Sequence, residues 1–85
     1  PGGRIVVVEC KLVKKGNKKY FEKREIEELK SFASIFNAEP WCYVQFGKES
    51  FFISIDDMEE KNSSFLATLE NARKKGFLFE EFVIK

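Results

Sequence analysis

A run of apolar β-formers near the start of the chain, RIVVVECKLV, constrains the fold more than any other segment. It is rich in valine and nearly continuous, and it predicts a strand over Ile5–Val13 with both faces covered. Because side chains alternate along a strand, Glu9 and Lys11 point to the same face. Burying two charges is costly unless they are paired or hold a metal. Either the strand emerges into solvent here with an ordinary ion pair, or it carries a functional site.

The segments that follow alternate between strand and helix patterns. Gly16 and Asn17 predict a tight reversal after the first strand, with Tyr20-Phe21 returning as its antiparallel hairpin partner. A 3.6-residue period then predicts a helix from Lys23 to Phe36, capped by Asn37, and the strands WCYVQF and SFFISI form a second hairpin at Gly47-Lys48. This order predicts a small α/β domain with a mixed sheet, in which a parallel pair of strands flanks the helix.

The last third of the chain is less clear. Asp56 or Asp57 is expected to cap a short helical turn, DMEEKN. The segment SSFLATL fits a strand or a helix, ENARKKG predicts a helix closed by Gly76, and the tail FLFEEFVIK is left without an assignment.

The helix from Lys23 to Phe36 has more apolar residues than one stripe needs. Four of them form a stripe expected to pack on the sheet, namely Ile26, Leu29, Ala33 and Phe36. Phe32 and Ile35 lie beside this stripe and have no obvious partner in their own chain. The chain also contains 10 Phe in 85 residues, which is more than one small core is expected to enclose. We therefore expect a homodimer formed through the helix.

The absence of histidine excludes several reaction classes. The chain of 85 residues has no His and two cysteines, so it lacks a histidine base, a His-activated nucleophile and a zinc site of the usual types. Carboxylates, lysines and a hard cation held by oxygen remain. Cys10 and Cys42 are expected to be buried free thiols, which together with the absence of a signal peptide or an apolar span of membrane length predicts a cytoplasmic protein.

Any affinity for nucleic acid must be local, because the net charge is only +1. Basic clusters lie at 14–19, at 23–24 and at 73–75, and a solvated turn or helix end is the favoured explanation of each cluster taken singly. The candidate DNA contacts among them are Lys14, Lys15, Lys18, Lys19 and Arg24.

As a functional site, the Glu9–Lys11 pair fits metal-assisted cleavage of a phosphodiester. Glu9 would bind Mg²⁺ or Mn²⁺, the backbone carbonyl of Cys10 would add a second oxygen ligand, and Lys11 would orient water or stabilise the transition state. Lys14 and Lys15 would hold backbone phosphates by charge, without reading bases. The Glu-x-Lys spacing alone is weak support, since it recurs at 28–30 and 59–61.

The segment IVVVECKLVKKGNKKYFEKREIEELKSFASIFNAEPWCYVQFG resembles the middle of the archaeal Holliday junction resolvases, which belong to the restriction-endonuclease-like superfamily. The likeness rests on E-x-K followed by Lys-Lys, then F-x-x-x-F in a helix, then P-x-x-x-V-x-F. It implies a mixed β-sheet flanked by helices, in a single nuclease-like domain over residues 1–85. It also implies a homodimer that cuts four-way DNA junctions in recombination and repair with a divalent metal.

Carried over by position, the resemblance implies that Glu9 is a metal ligand, Lys11 the catalytic lysine, and Lys14 and Lys15 DNA contacts. It places Phe32 and Phe36 on the helix that packs against its twin in the dimer, so it agrees with the periodicity for Phe32 and differs for Phe36.

Two departures from the family pattern stand out. The family carries a metal-binding Asp on the strand before E-x-K and an N-terminal helix with another acid, whereas this sequence opens with Pro1-Gly2-Gly3, expected in a turn leading into the strand. The fold is thus expected to be incomplete at its N-terminus, with the missing part possible on a second chain. Gln45 also stands where the family tends to have a basic residue. An acidic set at 56–60 is expected to serve capping and solvation rather than to replace the Asp.

Two further functions compete with an active nuclease. A catalytically inactive DNA-binding or assembly module of the same fold would explain the missing Asp. A metal-independent tRNA-intron endonuclease subunit ranks last, because such sites rely on histidine.

Overall fold

The computed structural model describes residues 4–84, so the turn expected at Pro1–Gly3 lies outside the described residues. The described elements are, in chain order, β1 (Val6–Val13), β2 (Lys18–Glu22), α1 (Lys23–Ile35), β3 (Glu39–Phe46), β4 (Glu49–Ser54), a 3-10 turn (Ile55–Asp57), β5 (Glu59–Glu60), β6 (Ser64–Thr68), α2 (Leu69–Lys75) and α3 (Phe79–Ile84).

The first sheet has the strand order β1-β3-β4 and contains the predicted parallel pair. β1 runs parallel to β3, with Val8 opposite Trp41 and Val13 opposite Phe46. Since parallel neighbours need a crossover, β2 and α1 lie between them in the chain. β3 and β4 form the predicted antiparallel hairpin, and Gly47 at its turn has φ 61°, a value that glycine adopts without strain.

The predicted hairpin between the first two strands is wrong. β2 pairs antiparallel with β6, which in turn pairs with β5, so these three strands form a second sheet. In this pairing Phe21 lies opposite Phe65, and Phe21 is completely buried. The partner of β2 is thus the segment whose sequence fitted strand or helix equally well. Burial of Phe21 in a core shared by both sheets favours this arrangement over a two-stranded hairpin.

Helix α1 packs one face on the core as its period predicts. Ile26 and Ala33 are buried, and Leu29 packs against the same core. The helix ends at Ile35, where the N–H of Ala38 donates to the carbonyl of Ala33 at 2.8 Å and Asn37 adopts φ 52°, a left-handed ending that asparagine tolerates well.

The expectation that Phe36 joins the core is wrong. Phe36 is the residue after the last helical one, with φ −99°, so the helical period no longer sets the direction of its side chain. It is 53% exposed, and its ring lies 5.0 Å from that of Phe32.

The last third of the chain completes the second sheet and packs two short helices against β4. The predicted cap at Asp56 or Asp57 is wrong, because Ser54 caps the 3-10 turn by accepting from the N–H of Asp56, and the next residues enter β5. α2 ends at Gly76 as predicted. The tail forms α3, whose Phe82 stacks on Phe52 at 4.0 Å and lies edge-on to Trp41 at 4.8 Å.

The two cysteines are both free thiols, but only Cys42 is buried as expected. Burial raises the pKa of the Cys42 thiol to about 12, which leaves it unreactive near neutral pH. Cys10 is exposed because it points away from α1, beyond the part of that face where Trp41 and Phe82 cover Val6 and Val8. Within residues 4–84, no helix combines the length and apolar character needed to cross a membrane.

The packing of α1 on the sheets can be tested by a substitution that removes one methyl group from a buried side chain. Ile26 on α1 is 1% exposed, whereas Ile5, just before β1, is 55% exposed. We expect Ile26→Val to lower the free energy of unfolding by about 0.5–1.5 kcal/mol, and Ile5→Val to change it by less than about 0.5 kcal/mol. Urea unfolding followed by circular dichroism measures both. Equal effects of the two substitutions would contradict the packing of α1.

Candidate active site

Glu9 and Lys11 lie on the face of β1 that α1 covers, and they contact each other as predicted. The Nζ of Lys11 is 3.5 Å from Oε2 of Glu9. The same Nζ is 3.0 Å from Oε2 of Glu25, which lies in the first turn of α1. Lys11 therefore bridges two carboxylates, one from the strand and one from the helix.

The three side chains are partly exposed. Their exposed fractions are 26% for Lys11, 35% for Glu25 and 43% for Glu9. Water therefore reaches all of them, and the strand bears these charges without the large desolvation cost of a dry interior. Two carboxylates against one ammonium leave an excess negative charge at this place, which favours a further cation.

The contact with Glu25 dominates the electrostatics of Lys11. The hydrogen bond to Glu25 raises the pKa of Lys11, with a smaller contribution from Glu9. In return, the bond from Lys11 lowers the pKa of Glu25, and the N–H of Glu22 and the charge of Lys19 act in the same direction. Both groups are consequently ionised throughout the neutral range.

Glu25 was not among the residues singled out from the sequence. It is separated from Lys11 by 14 positions, and only the packing of α1 beside β1 brings the two together. The available signal was its place three residues after Glu22, where a helix begins and where a carboxylate often receives a backbone N–H. The N–H of Glu22 does donate to Oε1 of Glu25 at 3.1 Å.

Two members of the acidic set at 56–60 form ion pairs away from this site. Glu59 pairs with Lys61 at 2.7 Å and Glu60 with Lys23 at 3.0 Å, both at the surface. Among the residues that the structure describes, no three histidine, cysteine or acidic side chains are grouped closely enough to hold a metal.

The donors that the sequence assigns to a metal are Glu9 and the backbone carbonyl of Cys10. The carbonyl of Ile5 accepts from the N–H of Glu39 on β3 at 2.9 Å. Because successive carbonyls along a strand point to opposite edges, the carbonyl of Cys10 points away from β3. Within residues 4–84, β1 has no strand on that other edge. A carboxylate and a carbonyl oxygen suit a hard cation such as Mg²⁺, which commonly keeps several water ligands.

The candidate DNA contacts differ from the other basic residues in their pairing. The five candidates are Lys14, Lys15, Lys18, Lys19 and Arg24. Within residues 4–84, none of the five forms an ion pair. Lys19 is half-buried, and the other four are exposed. By contrast, Arg73 pairs with Glu49, and Lys74 lies 3.7 Å from Glu70. The 73–75 cluster is thus largely neutralised by its neighbours, and the cluster around the turn after β1 is not.

The helix face proposed for the dimer lies beside this site. Phe32, Ile35 and Phe36 are 52%, 76% and 53% exposed. An open groove runs from Glu9 and Glu25 along α1 to Phe32. Gln45 is exposed and donates from Nε2 to the carbonyl of Gly47 at 3.0 Å.

Comparison with known proteins identifies relatives along the whole chain. A family model described as archaeal Holliday junction resolvase (Hjc) matches residues 1–85. The crossover junction endodeoxyribonuclease Hjc of Sulfolobus acidocaldarius is 32% identical over 82 residues, which cover 95% of this chain and 57% of the relative. The protein of the same name from Methanocaldococcus jannaschii is 38% identical over 52 residues, which cover 61% of this chain and 38% of the relative. The chain therefore spans about half the length of these relatives or less.

A solved structure agrees in fold. The Holliday junction resolvase Hjc of Archaeoglobus fulgidus matches with a TM-score of 0.87 and 23% identity, over 100% of this chain and 70% of that one. The predicted α/β fold, with a mixed sheet flanked by helices, is confirmed by this match to the fold of the Hjc resolvase.

Proposed function

The chain belongs to the archaeal Holliday junction resolvase family, and from that premise we propose that it acts in a structure-selective, metal-dependent endonuclease that resolves four-way DNA junctions. The observation that carries the proposal is the Glu9–Lys11 contact on a partly exposed face of β1, beside an unpaired basic turn. Cleavage of branched DNA would serve recombination and repair, and such a substrate implies a cytoplasmic location.

Glu9 and the carbonyl of Cys10 would hold the metal, with Mg²⁺ or Mn²⁺ as the candidates. A divalent cation bound there would lower the pKa of water and offset charge on the phosphate. The two donors supply only part of a coordination shell, and the remaining protein ligand would come from the segment that carries the family Asp or from a second chain.

Lys11 would stand beside the scissile phosphate. A fixed ammonium next to the phosphate stabilises negative charge that grows on the phosphate oxygens in the transition state. Being paired with Glu25 as well as Glu9, it is held in one place while it remains charged. Positioning of this kind contributes to the rate because little reorganisation is left for the reaction itself.

The basic turn would bind the DNA backbone without reading its sequence. Lys14 and Lys15 follow β1 directly, and Lys18 and Lys19 open β2 on the other side of the turn. Ammonium groups that are not neutralised within the chain are available to replace counterions on phosphates. Arg24, at the start of α1, would extend the same surface.

The exposed face of α1 would form a symmetric dimer. An isologous interface repeats Phe32, Ile35 and Phe36 on both partners, which covers apolar surface that one chain leaves in water. The two-fold axis would also present two sites to two strands of a four-way junction, as paired nicking requires.

A second candidate, a junction-binding module without cleavage activity, is favoured by one observation. The described residues contain no cluster of three metal-ligating side chains. A cleavage assay with a fluorescent four-way junction separates the two, because this module would shift the junction in a gel but leave both strands intact in Mg²⁺.

Replacing Glu9 provides the sharpest test of the catalytic assignment. We expect Glu9→Gln to lower the nicking rate by more than roughly 100-fold, since a metal ligand matters more than the groups that orient it, while junction affinity in the absence of metal changes little. The matched control is Glu59→Gln, which alters another Glu-x-Lys pair, with its own 2.7 Å contact to Lys61. Nicking by Glu9→Gln at the rate of the Glu59→Gln control would refute the assignment.

The dimer face is tested by adding a charge to it. We expect light scattering after size-exclusion chromatography to give the mass of two wild-type chains, and Phe32→Asp to weaken the dimer by about 2 kcal/mol or more, roughly thirtyfold. Phe79→Asp is the control, because Phe79 on α3 is similarly exposed, at 58% against 52%. A dimer that survives Phe32→Asp but not Phe79→Asp would place the interface on α3 instead.

A further inference from the structure

Glu25 holds Lys11 with both of its carboxylate oxygens engaged. Oε1 accepts from the backbone N–H of Glu22 at 3.1 Å, and Oε2 accepts from Nζ of Lys11 at 3.0 Å. The backbone bond fixes the carboxylate at the beginning of α1, where the helix dipole also favours negative charge. The position of Oε2 is therefore set by the fold of the helix, before any ligand binds.

The distances show that the ammonium of Lys11 lies closer to Glu25 than to Glu9. Nζ is 3.0 Å from Oε2 of Glu25 but 3.5 Å from Oε2 of Glu9. Within residues 4–84, the Glu9 carboxylate has no ion-pair partner other than Lys11. Without Glu25, the ammonium would be free to close onto Glu9 and compete with a cation for the same carboxylate.

We propose that Glu25 is a positioning residue for the site: it holds the Lys11 ammonium off Glu9, so that Glu9 stays available to a divalent cation and Lys11 stays directed at the phosphate. This inference rests on the proposed nuclease function, because it gives Glu25 a role through Lys11 and no contact of its own with the DNA.

The variant Glu25→Gln isolates this role from that of a helix cap. The amide oxygen of the introduced side chain can still accept from the N–H of Glu22, as glutamine does in natural helix starts. Its amide NH₂ then faces Lys11. Because both the NH₂ and the ammonium are hydrogen-bond donors, no hydrogen bond forms between them. Glu27→Gln is the matched control, since Glu27 is exposed on the same helix and the substitution removes the same charge.

The first readout is the position of the Lys11 side chain in crystal structures of the variants. We expect Nζ of Lys11 in Glu25→Gln to leave its 3.5 Å separation from Glu9 and move to direct hydrogen-bond distance, about 2.7–3.2 Å, and Glu27→Gln to leave Lys11 where it is in the wild type. A role limited to helix capping would not move the ammonium towards Glu9. A Lys11 side chain that keeps its wild-type position in Glu25→Gln would overturn the inference.

The second readout is nicking of a four-way junction in Mg²⁺, with junction affinity measured alongside. We expect Glu25→Gln to nick roughly 10–100-fold more slowly, as loss of an orienting partner typically does, at unchanged affinity. Glu25→Asp, which keeps the charge on a shorter side chain, should restore part of the rate. Nicking by Glu25→Gln at the rate of Glu27→Gln would overturn the positioning role.

The two hypotheses fail in distinguishable ways. If Glu9→Gln nicks as fast as the wild type, the nuclease assignment fails and the role of Glu25 fails with it. If Glu9→Gln is inactive while Glu25→Gln matches its control in nicking rate and in the position of Lys11, only the inference on Glu25 is wrong.

Discussion

Parallel pairing of β1 with β3 determines the arrangement of the rest of the molecule. The register of the pair, with Glu9 opposite Cys42, fixes which face each β1 side chain occupies. Glu9 and Lys11 face α1, whereas Val6 and Val8 face the aromatic cluster of Trp41, Phe52 and Phe82. A slip of one residue would reverse both sets, placing charges against the aromatic rings. The hydrophobic cluster under α3 thus helps to hold the charged pair in place.

The charges on this strand are tolerated because they are shared and partly hydrated. Lys11 has two carboxylate partners, and each of the three groups retains contact with water. The site therefore avoids the desolvation penalty of a buried ion pair, and it retains an excess negative charge next to a turn rich in unpaired lysines. In the proposed function, the negative centre would attract a cation and the positive surface beside it would attract phosphates, as metal-dependent cleavage of nucleic acids requires.

The sequence patterns correctly predicted the helices, strands and turns whose formation depends mainly on residues close together in the chain. The Val-rich strand, the helix ending near Asn37 and the hairpin at Gly47 each depend on neighbouring residues, and all three are present. The partner of β2 was mispredicted, because a hairpin is the default for adjacent strands, whereas the pairing with β6 joins Phe21 to a core contributed by distant segments.

The same distinction applies to the site. The contact between Glu9 and Lys11 could be predicted because both residues lie on one strand, but Glu25 meets Lys11 only through the packing of α1 beside β1. The exposure of Phe36 was missed since it depends on where the helix stops, and a one-residue change in that boundary redirects the ring. Residue periodicity specifies a face, but it does not specify the end of an element.

The central claim, that the Glu9–Lys11 edge of β1 binds a divalent cation, is tested most directly by titrating the chain with Mn²⁺ and following paramagnetic broadening of its backbone amide signals. The predicted result is broadening centred on Glu9, Cys10 and Lys11 that disappears in Glu9→Gln, with little effect at Glu59–Lys61, which has the same spacing of acid and base. Broadening centred on Glu59, or an equal effect at both places that persists in Glu9→Gln, would contradict it.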